Sequence, residues 1–128
     1  VYPDMKLYQE IIFLQRLERT ERFNVEYCVE NVIPDYNVLI PAQKTQRHLF
    51  WSSFTVPEVK VETDNIDTGT LGELEKHHGF DLKGYDSISH KKKVKMLRNC
   101  VHPEIGEAIL DACGTRQQSL KEVRSSGE

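Results

Sequence analysis

A carboxyl group and a carboxamide, those of Glu30 and Asn31, stand side by side at the end of a predicted strand. Every second residue from Val25 to Val29 is apolar, which predicts a strand over residues 24–30 with one buried face. In an open α/β sheet, ligands bind at the carboxyl ends of the strands. Glu30 is therefore a candidate acid or hydrogen-bond donor, and the alternative is an ordinary solvated strand end.

Thiols and imidazoles are the other side chains with reactive chemistry. The three cysteines, Cys28, Cys100 and Cys113, form no Cys-x-x-Cys pair, so neither a zinc site nor a disulfide framework is indicated. A reducing cytoplasm is then the expected compartment. His77 and His78 are adjacent in sequence, which is poor geometry for binding one metal ion and favours a surface loop.

One cluster of basic residues stands in the second half of the sequence. It comprises His90, Lys91, Lys92, Lys93, Lys95 and Arg98. Such a cluster is either a solvated helix face or a surface that contacts phosphates. The whole chain has 17 basic and 20 acidic residues and a net charge of −3, whereas a free-standing DNA-binding domain is more often basic. The net charge therefore argues against DNA binding by this chain in the absence of a partner.

The length of 128 residues corresponds to one domain or to part of one. Apolar residues make up 38% and charged residues 29%, which is ordinary for a soluble globular chain. No apolar run approaches the ~20 residues of a membrane-spanning helix, and no signal peptide is visible, so no membrane association is expected. The sequence begins with Val1 rather than Met, which favours a fragment.

Apolar periodicity and capping residues predict the elements that must position these side chains. The predicted helices cover residues 4–22, with Asp4 as the cap, about 88–98, and 103–113, ended by Gly114. The predicted strands cover residues 24–30, 47–54 and, as a short addition, 56–61.

The remaining stretches are predicted to be largely irregular. Residues 33–46 contain two prolines and are expected to form a connection. The interval 62–87 is polar, with one or two helical turns indicated around Leu71–His78. It lacks the basic and aromatic pattern that is typical of a segment that recognises DNA bases. Residues 115–128 form a polar tail, which is expected to fray.

Four segments, in order, resemble the DNA (cytosine-5) methyltransferases. The segment Val29–Val32 is similar to the Glu-Asn-Val signature of that family, and Gln43–Arg47 is similar to its Gln-x-Arg-x-Arg motif, with Thr45 in place of the first arginine. The other two are Asp4–Ile11 and Leu97–Val101, the latter followed by Pro103. These segments cover roughly residues 1–56 and 88–112, and the resemblance is to the carboxyl-terminal portion of the family only.

The resemblance implies an α/β fold, namely the carboxyl-terminal part of a Rossmann-like S-adenosylmethionine-dependent methyltransferase fold with an incomplete doubly wound sheet of three or four strands. Residues 1–56 would be the second half of the catalytic domain and 57–87 a short insert resembling a target-recognition region. Residues 88–114 would be closing helices that carry a cofactor-edge motif, and 115–128 the polar tail.

The resemblance also implies roles for the candidate residues. Glu30 would bond N3 and the exocyclic amine of a flipped cytosine and support a proton at N3. Arg47 would lie near the carbonyl oxygen of that base, and Asn31 and Val32 would line its pocket. The lysines of the basic cluster, Lys91, Lys92, Lys93 and Lys95, would contact DNA phosphates.

Five residues map onto the edges of the S-adenosylmethionine pocket in the family. They are Asp4, Leu7, Asn99, Cys100 and Val101. Arg98 stands where the family motif usually has Gly, and a buried Cys100 is more readily explained by packing than by nucleophilic chemistry. No metal is implied.

Two parts that the family chemistry needs are absent from these residues. None of the three cysteines follows a proline, as the family nucleophile does, and no Gly-rich loop follows a strand. The chain is therefore not expected to methylate DNA alone. The implied partners are double-stranded DNA and the missing amino-terminal portion or a partner subunit, in a cytoplasmic restriction-modification system of bacterial or phage type.

Two further interpretations remain open from the sequence. One is that the chain is a non-catalytic remnant of such an enzyme and binds DNA or a partner subunit. The departures from the family motifs at Thr45 and Arg98 favour this interpretation over a catalytic portion. The third interpretation is an unrelated small α/β domain with accidental motifs. Convergence of Glu30, Arg47 and Asn99 on one pocket is the feature expected of the catalytic portion.

Overall fold

The computed structural model of the chain describes residues 2–20, 25–62 and 66–126, with side chains described as far as Gly114. The chain divides into two compact units, one formed by Val1–Val59 with Glu107–Glu128 and the other by Lys60–Gly106. Both helices and strands are present, as the prediction of an α/β fold requires. The elements are α1 (Met5–Arg19), β1 (Cys28–Val32), β2 (Gln43–Thr45), β3 (His48–Ser52), α2 (Leu71–His78), α3 (His90–Asn99) and α4 (Pro103–Ser126).

Helix α1 begins where the sequence predicts. The carboxylate of Asp4 accepts hydrogen bonds from the backbone N–H groups of Lys6 (3.1 Å) and Leu7 (3.3 Å), which confirms Asp4 as the cap. The helix ends at Arg19 instead of continuing to Arg22, and residues 21–24 lie outside the described part of the chain.

The three described strands form an antiparallel sheet in the order β1-β3-β2. Strand β1 pairs with β3 so that Glu30 lies opposite Phe50 and Val32 opposite His48. The prediction of a strand ending at Glu30 is wrong, because β1 runs from Cys28 to Val32 and places Glu30 at its middle. Residue 24, at the predicted start, lies outside the described residues.

Strand β2 and the turn after it lie in a region where the sequence predicts an irregular connection and the start of a strand. Gln46 and Arg47 connect Thr45 of β2 to His48 of β3, and Gln46 adopts a positive φ of 52°. Glycine is the usual residue for such a position, and its absence removed the turn signal from the sequence. The two strands therefore form a hairpin that the residue types do not predict.

Substitutions at Gln46 are expected to change stability according to their tolerance of positive φ. Gln46→Gly is expected to be neutral or stabilising, whereas Gln46→Val is expected to lower the free energy of unfolding by about 1–2 kcal/mol, since a Cβ is disfavoured in the left-handed region and a branched one most of all. Urea unfolding followed by the fluorescence of the single tryptophan measures both variants. Equal stability of the two would contradict this account of the turn.

One face of the sheet packs against α1 to form the core of the first unit. Its buried residues are Tyr8, Ile11, Leu49 and Trp51. The rings of Tyr8 and Trp51 meet edge to face with centroids 6.0 Å apart. The indole N–H of Trp51 donates to the carbonyl of Ile40 at 2.9 Å, so the polar edge of this buried ring is satisfied.

Helices α2 and α3 pack against each other in the second unit, with Leu74 and Leu97 buried. Thr70 and Glu73 form a capping box at the start of α2, which explains why the predicted helical turns around Leu71–His78 become a regular helix. The surface-loop interpretation of the adjacent histidines is wrong, because both lie in α2 and His78 is buried.

Helix α4 runs from Pro103 to Ser126 and differs from the prediction that Gly114 ends it. The glycine costs a helix only about 1 kcal/mol, and the polar residues beyond it include good helix formers. The predicted short strand at 56–61 is also wrong, since that segment has no regular structure and Val56 is buried instead. Within the described residues, no helix combines the length and apolar character required to cross a bilayer.

Candidate functional site

Glu30 lies on the sheet face that points away from the α1 core. Side chains alternate along β1, so Val29 and Asn31 share the face of Leu49 and Trp51, whereas Glu30 shares the opposite face with His48 and Phe50. We call this second face the polar face. It is defined by Cys28, Glu30, Val32, Gln43, Thr45, His48, Phe50 and Ser52.

A short hydrogen bond joins Glu30 to His48 on the polar face. The distance between Glu30 Oε1 and His48 Nδ1 is 2.5 Å. The His48 side chain is only 7% exposed, whereas that of Glu30 is 34% exposed. The buried imidazole thus fixes the orientation of a carboxyl group that still reaches the surface.

Sequence analysis did not identify His48 as a functional candidate. The two residues are diagonal neighbours across β1 and β3, and their contact depends on the register that pairs Val32 with His48. A carboxylate–imidazole pair can hold or exchange a proton between its members, which is the property that acid–base chemistry uses. The only sequence signal was the position of His48 directly after the Gln43–Arg47 motif.

Gln43 and Thr45 complete the polar face from β2. The Gln43 amide nitrogen donates to the carbonyl of Phe54 at 3.2 Å, and its amide oxygen accepts from the N–H of Val56 at 2.8 Å. Gln43 therefore holds the segment that follows β3. Thr45 is 4% exposed, so the position where the family motif has its first arginine is here a small buried side chain.

Arg47 stands in the turn before β3 and is half-buried. Its carbonyl oxygen accepts a hydrogen bond of 3.2 Å from the N–H of Ile33, which joins the turn to the residue after β1. Arg47 lies three residues before Phe50, the partner of Glu30, which corresponds to about 10 Å along a strand. The backbone thus places Arg47 in the turn at the end of the sheet where β3 begins, and Glu30 further along the sheet at the middle of β1.

The two residues predicted to line a base pocket lie on different faces. Val32 is on the polar face with Glu30, whereas Asn31 pairs with Leu49 and lies on the α1 face. Neighbouring residues of a strand point in opposite directions, so Glu30 and Asn31 do not present their polar groups side by side as the sequence suggested.

The residues predicted to lie at the cofactor edge belong to different units. In the first unit, the Asp4 carboxylate caps α1 and Leu7 packs against the core. In the second unit, Asn99 is exposed at the end of α3, and Cys100 and Val101 are half-buried beyond it. The backbone N–H of Cys100 donates to the carbonyl of Met96 at 3.0 Å and closes the helix.

The lysines of the basic cluster lie in α3, which contains no acidic residue. Lys91, Lys92 and Lys95 are exposed. Lys93 differs from them, because it is half-buried and its ammonium group donates to the carbonyl of Leu82 at 3.0 Å. Lys93 therefore has a structural contact, and three lysines of the four present their charges fully to solvent.

Cys28 has the properties of an unreactive thiol. Burial raises its pKa, the hydroxyl of Ser52 lowers it less, and the nearby Glu30 carboxylate raises it further. The nucleophile in thiol chemistry is the thiolate, which this environment disfavours at neutral pH.

Glu30→Gln is expected to lower the pKa of Cys28, because it removes the negative charge on the same face. The rate of alkylation of Cys28 by iodoacetamide at mildly alkaline pH is then expected to rise. The measurement is made with Cys100 and Cys113 replaced by Ser, and Glu58→Gln, an exposed glutamate in the same unit, serves as the control. An unchanged rate would show that the carboxylate of Glu30 does not act on the thiol.

Three imidazoles form a cluster in the second unit. The ring centroid of His77 lies 5.0 Å from that of His78 and 4.9 Å from that of His102. His102 donates from Nε2 to the carbonyl of His77 and accepts at Nδ1 from the N–H of Glu104, which assigns a neutral tautomer. Buried His78 donates from Nε2 to the carbonyl of Leu97 at 2.7 Å.

The histidine cluster is expected to make the second unit sensitive to acid. Burial, and secondarily the nearby His102, lower the pKa of His77 below its ordinary value of 6.5. The folded state therefore binds fewer protons than the unfolded state, so stability is full above about pH 6.5 and declines as the pH falls through the lower folded pKa. His77 and His102 line a cavity of the second unit. The other charged or titratable side chains that line this cavity are Lys60, Glu62, Glu73, Lys76 and Glu104.

The measurement is the free energy of unfolding as a function of pH for the chain and for His77→Asn. Between neutral and mildly acidic pH, the variant is expected to lose less stability, with a difference below about tenfold in the unfolding equilibrium because His77 is partly solvated. His90→Asn, at the exposed start of α3, is the matched control. The same slope in all three proteins would contradict a role for the cluster.

Within the described parts of the chain, no group of three or more His, Cys, Asp or Glu side chains is arranged to hold a metal ion. The contacts of the histidine cluster include ring packing and hydrogen bonds to backbone carbonyl groups.

The chain was compared with known proteins at three levels. No family model, no curated protein and no solved structure matches it. The assignment of function therefore depends on the residues and geometry of the polar face.

Proposed function

We propose that this chain is the carboxyl-terminal part of a DNA (cytosine-5) methyltransferase and that Glu30 is its acidic residue at the target cytosine. The observation that carries the proposal is the 2.5 Å hydrogen bond between Glu30 and buried His48, on the sheet face that leads to the turn holding Arg47. Two of the four segments that resemble the family, Val29–Val32 and Gln43–Arg47, lie in the same sheet, with β3 between them.

Glu30 suits the acid role in this reaction. Cytosine resists attack at C6 because its ring is aromatic, and a carboxyl group that supports a proton at N3 lowers that cost. One oxygen of Glu30 is held by His48, and the side chain is 34% exposed, so the group can meet a base that has been flipped out of a duplex. Holding the carboxyl group in place reduces the entropy lost in reaching the reactive geometry.

Arg47 would supply the cation near the carbonyl oxygen of the base. A fixed positive charge stabilises negative charge that develops on the ring during attack. The bond between the Arg47 carbonyl and the Ile33 N–H supports this role, since it anchors the arginine backbone at the end of β1.

The thiolate that attacks C6 has to come from outside this chain. The pKa of Cys28 is raised, and Cys113 donates its thiol hydrogen to Glu26 at 2.9 Å. When bound, S-adenosylmethionine supplies the methyl group. Of the predicted edge residues, Asp4 and Leu7 are engaged in the cap and the core, so the described residues offer at most a border for the cofactor.

The sheet supports the finer proposal of a Rossmann-like arrangement. Strands β1 and β2 are both antiparallel to β3, so they run parallel to each other with β3 between them. Many doubly wound folds carry such an antiparallel strand near one edge of a parallel sheet. We propose that strands of the missing portion pair with the outer edge of β1.

A second candidate function is a non-catalytic remnant that binds DNA or a partner subunit. The observation that favours it is the 4% exposure of Thr45. A long charged side chain in place of this buried threonine would lack both space and solvent, so this chain has lost one of the two family arginines without a compensating cation at that position.

Complementation tests the proposal and separates the two candidates. The chain is mixed with an amino-terminal methyltransferase portion that contains a Pro-Cys loop and a Gly-rich cofactor loop, and transfer of tritiated methyl to cytosine C5 in duplex DNA is measured. Methyl transfer in the mixture and in neither part alone supports the proposal. A mixture that assembles or binds DNA without methyl transfer supports the remnant, and a mixture that does neither contradicts both.

A further inference from the structure

The loop between α2 and α3 presents an exposed aromatic pocket. The pocket has a volume of about 330 Å³ and is lined by Phe80, Asp81, Leu82, Tyr85, Ile88 and Met96. Three of these side chains are unusually exposed for their size: Phe80 at 43%, Tyr85 at 58% and Met96 at 41%. Large apolar side chains that converge at a surface indicate a binding site more often than isolated ones do.

One hydrogen bond joins this loop to α3, and another closes a turn within the loop. The ammonium group of Lys93 donates to the carbonyl of Leu82 at 3.0 Å, and the N–H of Ile88 donates to the carbonyl of Tyr85 at 3.1 Å. Gly84 takes a positive φ of 85°, which permits the turn between these contacts. The pocket is therefore a defined structure that α3 supports.

The exposed lysines of α3 adjoin the pocket. Met96 lies four residues after Lys92 and one after Lys95, so Lys92 and Met96 are neighbours on the helix surface. On a helical projection, the exposed arc runs from Lys91 through Lys95 and Lys92 to Met96. An apolar pocket with aromatic rings thus continues into a surface of positive charge.

We propose that the aromatic pocket and the lysine surface of α3 together bind single-stranded nucleic acid, with one unstacked base in the pocket and phosphates on Lys91, Lys92 and Lys95. Aromatic rings beside a basic track are the combination that single-strand binding uses, since every base has a face that can stack. The positive surface argues against an apolar protein partner, which would leave three lysine charges to desolvate.

Acidic groups near the pocket oppose this ligand: exposed Asp86 directly follows Tyr85, and the Glu75 carboxylate accepts from the N–H of Leu82 at 2.9 Å. Asp81 lines the pocket, and its carboxylate accepts from the backbone N–H of Lys83 at 2.9 Å and lies 4.0 Å from the Lys83 ammonium. Its charge is partly balanced and partly solvated, so it weakens binding without preventing it. Asp81→Asn is accordingly expected to tighten binding.

The proposal rests on residues 80–96 and does not depend on the methyl-transfer chemistry of the polar face. Its test uses the full chain, a fluorescein-labelled oligothymidine and fluorescence anisotropy at low ionic strength. Tyr85→Ala is expected to weaken binding by about 5- to 150-fold, the range found for loss of one base–aromatic stack, whereas Tyr85→Phe retains binding. Tyr2→Ala, at a 95% exposed tyrosine in the other unit, is the matched control.

Salt dependence tests the phosphate contacts separately. Replacing Lys91, Lys92 and Lys95 together by Gln is expected to reduce the slope of log affinity against log salt by about 2, because each phosphate contact contributes about 0.7 for a single strand. Lys76→Gln, an exposed lysine of α2, is the control and should leave the slope unchanged.

Four outcomes would overturn the proposal. They are an absence of binding at low salt, equal binding by Tyr85→Ala and Tyr2→Ala, an unchanged salt slope in the triple-lysine variant, and self-association of the chain that Tyr85→Ala abolishes in sedimentation. The last would show that the pocket receives a second copy of the chain instead of a base.

Discussion

Under the proposed function, replacing Glu30 by Gln is expected to lower the rate of methyl transfer by the complemented chain by about 10²- to 10⁴-fold, the usual contribution of a positioned acid or base. Glutamine has the size of glutamate and can still accept the hydrogen bond from His48, so the sheet is retained. It cannot be the acid that supports a proton at N3 of cytosine. The measurement is the initial rate of tritium transfer with both DNA and methyl donor saturating.

The control for this prediction is Glu58→Gln, which neutralises an exposed glutamate in the same unit. Equal rates for the two variants would remove Glu30 from the mechanism. Weak DNA binding could also slow the reaction, so affinity for DNA is measured for each variant, and the expected loss lies in kcat with KM little changed.

The same assay examines the hydrogen bond from His48. In His48→Asn a carboxamide nitrogen stands close to the position of Nδ1 and can still donate to Glu30, whereas His48→Leu fills the space without a donor. The rate is expected to fall much less for Asn than for Leu. Equal losses would indicate that His48 contributes packing alone.

Tyr8→Ala is expected to reduce the free energy of unfolding by about 3–5 kcal/mol, the range for truncating a large buried aromatic side chain. Tyr8 is 2% exposed, and its ring meets those of Tyr36 and Trp51 edge to face at 6.5 and 6.0 Å. Its hydroxyl accepts from the N–H of Leu39 at 3.3 Å, and burial raises its pKa so that it stays protonated. Removing the ring leaves a cavity between α1 and the sheet.

Urea unfolding followed by Trp51 fluorescence measures this loss, since Trp51 is the single tryptophan and contacts Tyr8. Tyr2→Ala removes the same side chain at a 95% exposed position and is expected to change stability by less than about 0.5 kcal/mol. Tyr8→Phe is expected to cost only about 1 kcal/mol, the net value of one hydrogen bond. A loss below about 1 kcal/mol for Tyr8→Ala would contradict the central place of Tyr8 in the core.

Local sequence signals predicted the elements whose ends are chemically marked. Asp4 before an apolar stripe located the start of α1, whereas the capping box of Thr70 and Glu73 at the start of α2 was not part of the prediction of helical turns around Leu71–His78. Hydrogen bonds within one or two turns hold these starts, so residue types alone are informative. The predicted ends of two helices were wrong: α1 stops at Arg19 and α4 passes Gly114, because the helix propensities involved differ by only about 1 kcal/mol.

Strand boundaries and pairing required the tertiary structure. Strand β2 is a short polar segment, and its hairpin turn has Gln46 where glycine is usual, so neither apolar alternation nor a turn dipeptide marked it. Its stability comes from pairing with β3, a contact between strands that no local pattern encodes.

The sequence by itself determined which residues are candidates, namely Glu30 and Arg47 through the resemblance to the methyltransferases and a row of lysines through their charge, because motif and charge do not depend on folding. Only the tertiary structure decided how these residues are placed. The register of β1 on β3 brought His48 to Glu30 and turned Asn31 to the other face, since side chains alternate along a strand. Packing of the 80–88 loop on α3 likewise placed Tyr85 beside Met96, eleven residues away in sequence.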